Sequence, residues 1–262
     1  MIKLVVCDMD GTMIGHDEKI PPDAAAFIAS LEARGVMFTV ATGRAEGYMR
    51  EKVEEMGLCH PYIATNGATI MEGSKAVVRK QFPIAQFREV ANFARTLGMS
   101  ILYTFDGEER VEEITDWISY EGKKRGITYQ PQPFTEEEWG TLCADKILVM
   151  DPVREGKINQ LEEKVKATPG SFSYVRYRDK ALEFNERSAN KAAALGELAK
   201  LLHVELHEVL AVGDDDNDIE MFQTAGISAA VGNVSDNARP YADYVCKGYQ
   251  FEGVKEAVAK FC

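Results

Sequence analysis

The sequence predicts an α/β fold in which a parallel sheet, built from alternating strands and helices, is interrupted by a long insertion. Short runs of apolar and β-branched residues alternate with stretches of helical periodicity at both ends of the chain, and their short connections demand parallel strands. The first three strands each run into a turn of small or polar residues. Between about residues 82 and 185 the texture changes: the strands end in no such turn, and both tryptophans and five of the nine prolines fall there. Residues 1–81 and 186–262 are therefore expected to form one domain, with 82–185 as a second, α+β domain inserted into it.

Length and composition set the outer limits. A chain of 262 residues has room for a sizeable core, and 45% apolar with 27% charged residues describes a globular chain rather than a disordered one. Acidic residues outnumber basic ones 42 to 30. Nucleic acids and anionic membranes need a basic face, so neither partner is expected. A small anionic substrate stays compatible if cations are concentrated locally. No apolar run approaches the roughly 20 residues of a spanning helix, and no apolar signal region precedes the first strand. Cys7, Cys59, Cys143, Cys246 and Cys262 are scattered and form no close pair, as reduced thiols would be. A cytoplasmic location is the expectation.

Taken in order, Lys3 to Cys7 reads as a short buried strand, followed by Asp8-Met9-Asp10-Gly11-Thr12. Side chains alternate along an extended chain, so Asp8 and Asp10 are expected to point the same way. Two like charges held that close call for a cation, and a hard divalent ion such as Mg2+ answers. An Asx turn capped by Gly11 accounts for the same residues without one. A helix follows from Pro21 to Arg34, ended by Gly35. The strand Val36–Ala41 stops at Thr42-Gly43-Arg44. A helix Glu46–Met56 closes at Gly57, and the strand Tyr62–Ala64 stops at Thr65-Asn66-Gly67. Ligands of parallel sheets gather outside the carboxyl ends of the strands, so these three turns are expected to face one crevice.

A hairpin is expected at Thr69–Met71 and Ala76–Arg79. The insertion then reads as helices at Ile84–Leu97 and Arg154–Ala167, with strands at Ile101–Phe105, Lys146–Met150, Phe172–Arg176 and Leu182–Phe184. Helical texture resumes at Ala189–Leu202, with Lys191 near its start. The strand Val209–Val212 runs into Gly213-Asp214-Asp215-Asp216-Asn217-Asp218, four carboxylates in six residues. That run lacks the alternating ligands, central Gly and final Glu of an EF-hand loop. As another strand end on the same edge, it lets Asp214 complete an oxygen-ligand set for Mg2+ and leaves a position for phosphate. A helix Ile219–Ala225, a strand Ile227–Ala230, a helix near Asp236–Tyr241, a strand Tyr244–Cys246 and a helix from Gly253 complete the pattern.

Asp8-Met9-Asp10-Gly11-Thr12, Ala41-Thr42-Gly43-Arg44, Lys191 and Gly213–Asp218 together resemble the four ordered motifs of the haloacid dehalogenase superfamily. The resemblance is to its Cof-type sugar-phosphate phosphatases, whose α/β cap (type C2B) is inserted between the second and third motifs. It implies a Rossmann-like core and hydrolysis of small phosphate monoesters by way of an aspartyl-phosphate. Asp8 would then be nucleophile and Mg2+ ligand, and Asp10 the acid–base residue, also placed at the metal. Thr42, Gly43 and Lys191 would hold the phosphoryl group, with backbone donors from Met9 and Asp10. Asp214 would be a further metal ligand and Asp218 a residue behind it that orients the metal or its water. Asn217, Arg44 and Asn66 would line the phosphate and substrate crevice. Ala192 stands where relatives often have glycine. Two other readings share the fold: a sugar-phosphate phosphotransferase or mutase, and a phosphometabolite-binding protein, against which intact Asp8, Asp10 and Lys191 speak. In the insertion, Tyr103, Trp117, Tyr120, Trp139 and Arg176 are the side chains that could meet a leaving group or simply pack.

Overall fold

The computed structural model describes residues 1–15, 17–153 and 155–262. The chain divides into two compact units, Met1–Arg79 with Ala189–Cys262, and Lys80–Ser188. The first segment carries β1 (Leu4–Asp8), α1 (Ala24–Glu32), β2 (Met37–Ala41), α2 (Arg50–Met56), β3 (Tyr62–Ala64), β4 (Thr69–Glu72) and β5 (Lys75–Arg79). The insertion carries β6 (Phe82–Pro83), α3 (Arg88–Thr96), β7 (Ser100–Phe105), β8 (Glu108–Arg110), α4 (Asp116–Arg125) and α5 (Glu136–Thr141). It continues through β9 (Cys143–Ala144), β10 (Lys146–Met150), α6 (Lys157–Lys166), β11 (Phe172–Tyr177) and β12 (Ala181–Glu186). The last segment supplies α7 (Lys191–Leu201), β13 (Val209–Gly213), α8 (Ile219–Thr224), β14 (Ile227–Ala230), β15 (Tyr244–Val245) and α9 (Gln250–Phe261).

In the first unit, eight strands lie in the order β15-β14-β13-β1-β2-β3-β4-β5. The six from β15 to β3 are parallel, and β4 and β5 return antiparallel as the expected hairpin. The central strand β1 is buried along its whole length because both faces are covered. Val5 and Cys7 pack with residues of α1, α2 and α9, such as Ile28, Met56 and Val254. Leu4 and Val6 pack with residues of α7 and α8, such as Leu195 and Phe222. Each such side chain, fully buried, contributes roughly 1.5–3 kcal/mol. Successive strands run outward from β1 in one direction as β2 and β3, and from β13 in the other as β14 and β15. The chain order therefore reverses between β1 and β13, the place where doubly wound sheets open a crevice at their carboxyl ends.

The inserted unit is α+β. Its five-stranded sheet, β11-β12-β10-β7-β8, is antiparallel throughout, and β6 pairs separately with β9. Its main core gathers Val90 and Ala94 of α3, Ile158, Leu161 and Val165 of α6, and Ile147, Val149, Leu182 and Phe184 of the sheet. Tyr103 and Trp139 belong to that core, Trp117 packs on Leu102, Val111 and Ile118, and Arg176 is engaged by Glu162 and Asn159. Tyr120 is exposed. The expected start of α6 at Arg154 lies outside the described residues, and the observed helix begins at Lys157. The sequence reading did not anticipate α4 and α5. α4 buries only Ile118 and Gly122 along ten residues, so it shows little apolar periodicity. α5 is six residues long, yet Thr135 and Glu138 form a capping box that a scan for Thr-x-x-Glu would have found. Among the described residues, no helix is long and apolar enough to cross a membrane.

Candidate active site

β1 ends at Asp8, and the alternation expected to align Asp8 with Asp10 ends with it. Met9 is buried, and its carbonyl accepts from the amides of Thr12, Met13 and Ile14 at 3.3, 2.9 and 2.8 Å, curling the chain into a tight loop. Gly11 occupies the left-handed region at φ +91°, and a Cβ there would lie 2.3 Å from Asp214 Oδ2. Asp10 is carried out of the strand, leaving its carboxylate about half exposed (52%). Arg44 grips it with two parallel bonds, Nε to Oδ2 at 2.9 Å and Nη2 to Oδ1 at 2.6 Å, and also reaches Glu18 Oε2 at 3.3 Å. These acidic partners raise the Arg44 pKa, Asp10 foremost, against the effect of burial.

The cation facing Asp10 is thus Arg44, and the carboxylates gathered around Asp8 are Asp214 and Asp218. One oxygen from each of Asp8, Asp214 and Asp218 lies within 4.8 Å of the others; the Asp10 carboxylate is not part of that group. This corrects the expectation that Asp8 and Asp10 form the pair whose repulsion needs a cation. The turn, rather than the strand, decides where Asp10 points.

Lys191 is the first residue of α7, and its side chain is fully buried. Its Nζ donates to Asp8 Oδ1 at 2.5 Å and to Asp218 Oδ1 at 2.6 Å. Asn190 caps the helix through Oδ1, which accepts from the Ala193 amide at 2.7 Å. Gly67, at φ +94°, lets the loop after β3 close on this helix start, since a Cβ would lie 2.2 Å from the Asn190 carbonyl oxygen. Asp218 Oδ2 accepts from the amides of Asp214 and Asp215 at 2.9 and 3.1 Å, which ties the acidic loop to its own helix start.

One buried ammonium faces three carboxylates, and the imbalance shows in their ionisation. Burial pushes Asp8 well above the usual carboxylate range, opposed by Lys191 and reinforced by Asp218 and Asp214. Asp214 is pushed up to about 7 by burial, against the hydrogen bond from the Thr12 hydroxyl, with Asp218 and Asp215 adding repulsion. Burial alone would lower Lys191, but Asp218 and Asp8 outweigh it and raise it. Hard oxygen donors with surplus negative charge at the end of a central strand fit Mg2+.

The remaining predicted residues form the wall beside this cluster. Thr42, buried at the end of β2, accepts the Arg44 amide on its hydroxyl at 3.1 Å, and its carbonyl accepts the Asn66 amide at 2.9 Å. Gly43 faces the Asn66 side chain closely enough that a Cβ would touch it at 3.1 Å. Asn66 sits at φ +50°, a conformation asparagine tolerates, and its Oδ1 accepts from Asn217 Nδ2 at 3.1 Å. The turns after β2, β3 and β13 are therefore laced together by hydrogen bonds. Two further residues complete the arrangement. Thr12 Oγ1 donates to Asp214 Oδ1 at 2.6 Å. Asn233 Nδ2 donates to the Gly11 carbonyl at 2.8 Å and to Asp214 Oδ2 at 3.2 Å, while its Oδ1 accepts from the Gln250 amide at 3.0 Å. Asn233 was not among the predicted residues, although it follows β14 on the same sheet edge, which is the signal that identified the other turns.

A profile of the haloacid dehalogenase-like hydrolases matches residues 5–258. The chain is 26% identical to 5-amino-6-(5-phospho-D-ribitylamino)uracil phosphatase YcsE of Bacillus subtilis, over 98% of this chain and 94% of that one. A haloacid dehalogenase-like hydrolase from Bacteroides thetaiotaomicron superposes with a TM-score of 0.84 at 23% identity, covering 100% of both chains. The subclass IIB sugar phosphatase BT4131 superposes with a TM-score of 0.80 at 19% identity, over 98% of this chain and 96% of that one.

Proposed function

The chain belongs to the haloacid dehalogenase-like hydrolase family, and from that premise we propose that it is a Mg2+-dependent phosphatase of small phosphorylated metabolites, working through a phosphorylated Asp8. The observation that carries the reading is the setting of Asp8: a buried carboxylate, fixed through Oδ1 by the Lys191 ammonium, with Asp214 and Asp218 alongside. Asp8 and Asp214 would hold the metal, with Asp218 behind them. Bound there, Mg2+ supplies positive charge that offsets the repulsion between an anionic nucleophile and a phosphate dianion.

The chain's own residues do the rest. Lys191 holds Asp8 through Oδ1, which leaves Oδ2 as the oxygen that attacks phosphorus. The P–O bond to the leaving group breaks as Asp10 donates a proton to the departing oxygen. Asp10, now a carboxylate, takes a proton from water, whose oxygen attacks phosphorus, breaks the bond to Asp8 and releases inorganic phosphate. Arg44 holds Asp10 in position between the two steps. Thr42 and Asn217 flank the phosphoryl group, which the buried Lys191 charge stabilises. The Bacillus relative is named for a uracil substrate that carries a 5-phospho-D-ribitylamino group, and sugar phosphates are the first substrate class to try.

The experiment is a phosphate-release screen over sugar, nucleotide and cofactor phosphates with and without Mg2+, run with acid-quench mapping of labelled phosphate. Release without any acceptor sugar, label on Asp8, and loss of both in Asp8→Asn are the expected results. Turnover with no label on Asp8 would overturn the mechanism. Phosphate that leaves only when an acceptor sugar is added would favour a phosphotransferase.

A further inference from the structure

A second cluster of metal-binding side chains lies in the same unit, near the amino ends of β2 and β3 and so at the opposite edge of the sheet from Asp8. Glu32 closes α1, and Cys59 and His60 sit between α2 and β3. The carboxylate of Glu32 is held from both sides: Oε1 accepts the Phe38 amide at 3.0 Å, and Oε2 meets His60 Nε2 at 3.1 Å. The loop carrying the other two residues is anchored at each end. The Leu58 amide donates to the Val53 carbonyl at 3.0 Å, and the Pro61 carbonyl accepts from Thr39 Oγ1 at 2.7 Å. One ligand atom from each of Glu32, Cys59 and His60 lies within 4.8 Å of the other two.

We propose that Glu32, Cys59 and His60 form a second metal site, for a borderline transition ion of the Zn2+ class, with water completing the coordination. The donor set decides the ion. A thiolate and an imidazole are poor ligands for Mg2+ but suit Zn2+ and Co2+, which accept sulfur, nitrogen and oxygen in one tetrahedron. The ligand atoms of such a tetrahedron stand roughly 3.5 Å apart. Atoms that already lie within 4.8 Å of one another reach that spacing by shifts of about 1 Å, and Cys59 is exposed and free to make one. Glu32 is already oriented by the Phe38 amide, the kind of backbone support that metal ligands commonly have. On binding, the thiol proton of Cys59 and the proton His60 shares with Glu32 pass to solvent, or the imidazole takes its other tautomer, and the freed sulfur, nitrogen and carboxylate lone pairs form the bonds to the ion.

Cobalt is the probe, titrated into the full chain with Mg2+ present in excess. The expected result is one bound equivalent with a thiolate-to-Co2+ absorption band in the near ultraviolet, which Zn2+ bleaches by displacement. Residues that merely orient a ligand cost about 10–100-fold in affinity when changed. Cys59→Ser and His60→Ala should therefore each weaken Co2+ binding by at least about 100-fold, and Cys59→Ser should abolish the band. Phosphatase turnover should be unchanged in Cys59→Ser. Oxygen-only binding at the Asp8 cluster cannot give a sulfur band, so the outcome is independent of the proposed reaction. Wild-type protein without the band, or Cys59→Ser binding Co2+ as tightly as wild type, would overturn the proposal and leave Glu32 and His60 as a hydrogen-bonded pair. If His60→Ala fails to fold, the exposed Cys59 position keeps the test decisive.

Discussion

Replacing Lys191 with methionine keeps most of the side-chain volume and deletes the ammonium that Asp8 and Asp218 share at 2.5 and 2.6 Å. The side-chain exposures of the three residues are 0, 7 and 0%, so water cannot take the missing place. Removing one partner of a buried pair costs about 3–5 kcal/mol, and here two carboxylates lose their partner together, so the upper half of that range is expected. At roughly 2–4 °C per kcal/mol for a domain of this size, the melting point should fall by about 10–20 °C. Part of the loss should be reversible without restoring the cation. Adding Asp218→Asn removes one stranded charge while its amide oxygen still accepts from Asp214 and Asp215, and should return about 1–3 kcal/mol. Both tryptophans lie in the inserted unit, so the assay is urea unfolding followed by far-ultraviolet circular dichroism. A Lys191→Met protein that unfolds at the wild-type midpoint would refute the reasoning. So would a double variant less stable than the single one.

Four other outcomes follow from the same geometry. Gly67→Ala puts a Cβ at φ +94°, 2.2 Å from the Asn190 carbonyl, and should cost at least about 2 kcal/mol along with turnover, whereas Gly35→Ala, at φ +76° but with open space around it, should cost only the backbone strain of about 1–2 kcal/mol and spare activity; initial rates separate the two. Mg2+ requires the carboxylate form of Asp214, so with its pKa near 7 the apparent affinity should climb about tenfold per pH unit below 7 and level off above, as titration calorimetry would show. By the same linkage, the metal-free fold binds that proton more tightly than the unfolded chain. Its contribution to stability is complete below the ordinary aspartate range and is lost as pH rises through about 7; melts that sharpen in stability over that window would contradict it. Arg44→Ala frees Asp10, whose exposure keeps the stability change within about 1 kcal/mol, but should lower kcat by about 100-fold, and Arg44→Lys should not restore it because one ammonium cannot reproduce the two-pronged grip.

Much of the fold could be read from residue pattern because the central strands are buried on both faces. Leu4 to Cys7 and Val209 to Val212 are unbroken apolar runs, and each is followed at once by the turn that holds the chemistry. Where the reading fell short, side-chain reach or short elements were responsible. Asp10 went astray because strand alternation says nothing about a chain that has already turned, and the attraction of Arg44, 34 residues away, is invisible to spacing. α4 hid because it buries one stripe only two residues deep, and the expected helix from Glu46 breaks into a 3-10 turn at Glu46–Tyr48 before α2. Lys191, by contrast, was expected only near the start of its helix, and its part in the site came from the four-motif resemblance; in the structure it is the first residue of α7.

The sheet joins segments that are made far apart in time. Leu4 pairs with Met37 on one side and with Val209 on the other, so one flank of the central strand waits for residues about 200 positions downstream. At synthesis rates of about 5–20 residues per second, the nascent chain carries that flank open for roughly 10–40 s. An unpaired apolar strand is a template for pairing with a neighbouring chain, so crowded ribosomes on one message would present the aggregation hazard most acutely. Slowing translation between codons 80 and 208 should raise the insoluble fraction, and masking the flank with a chaperone should lower it.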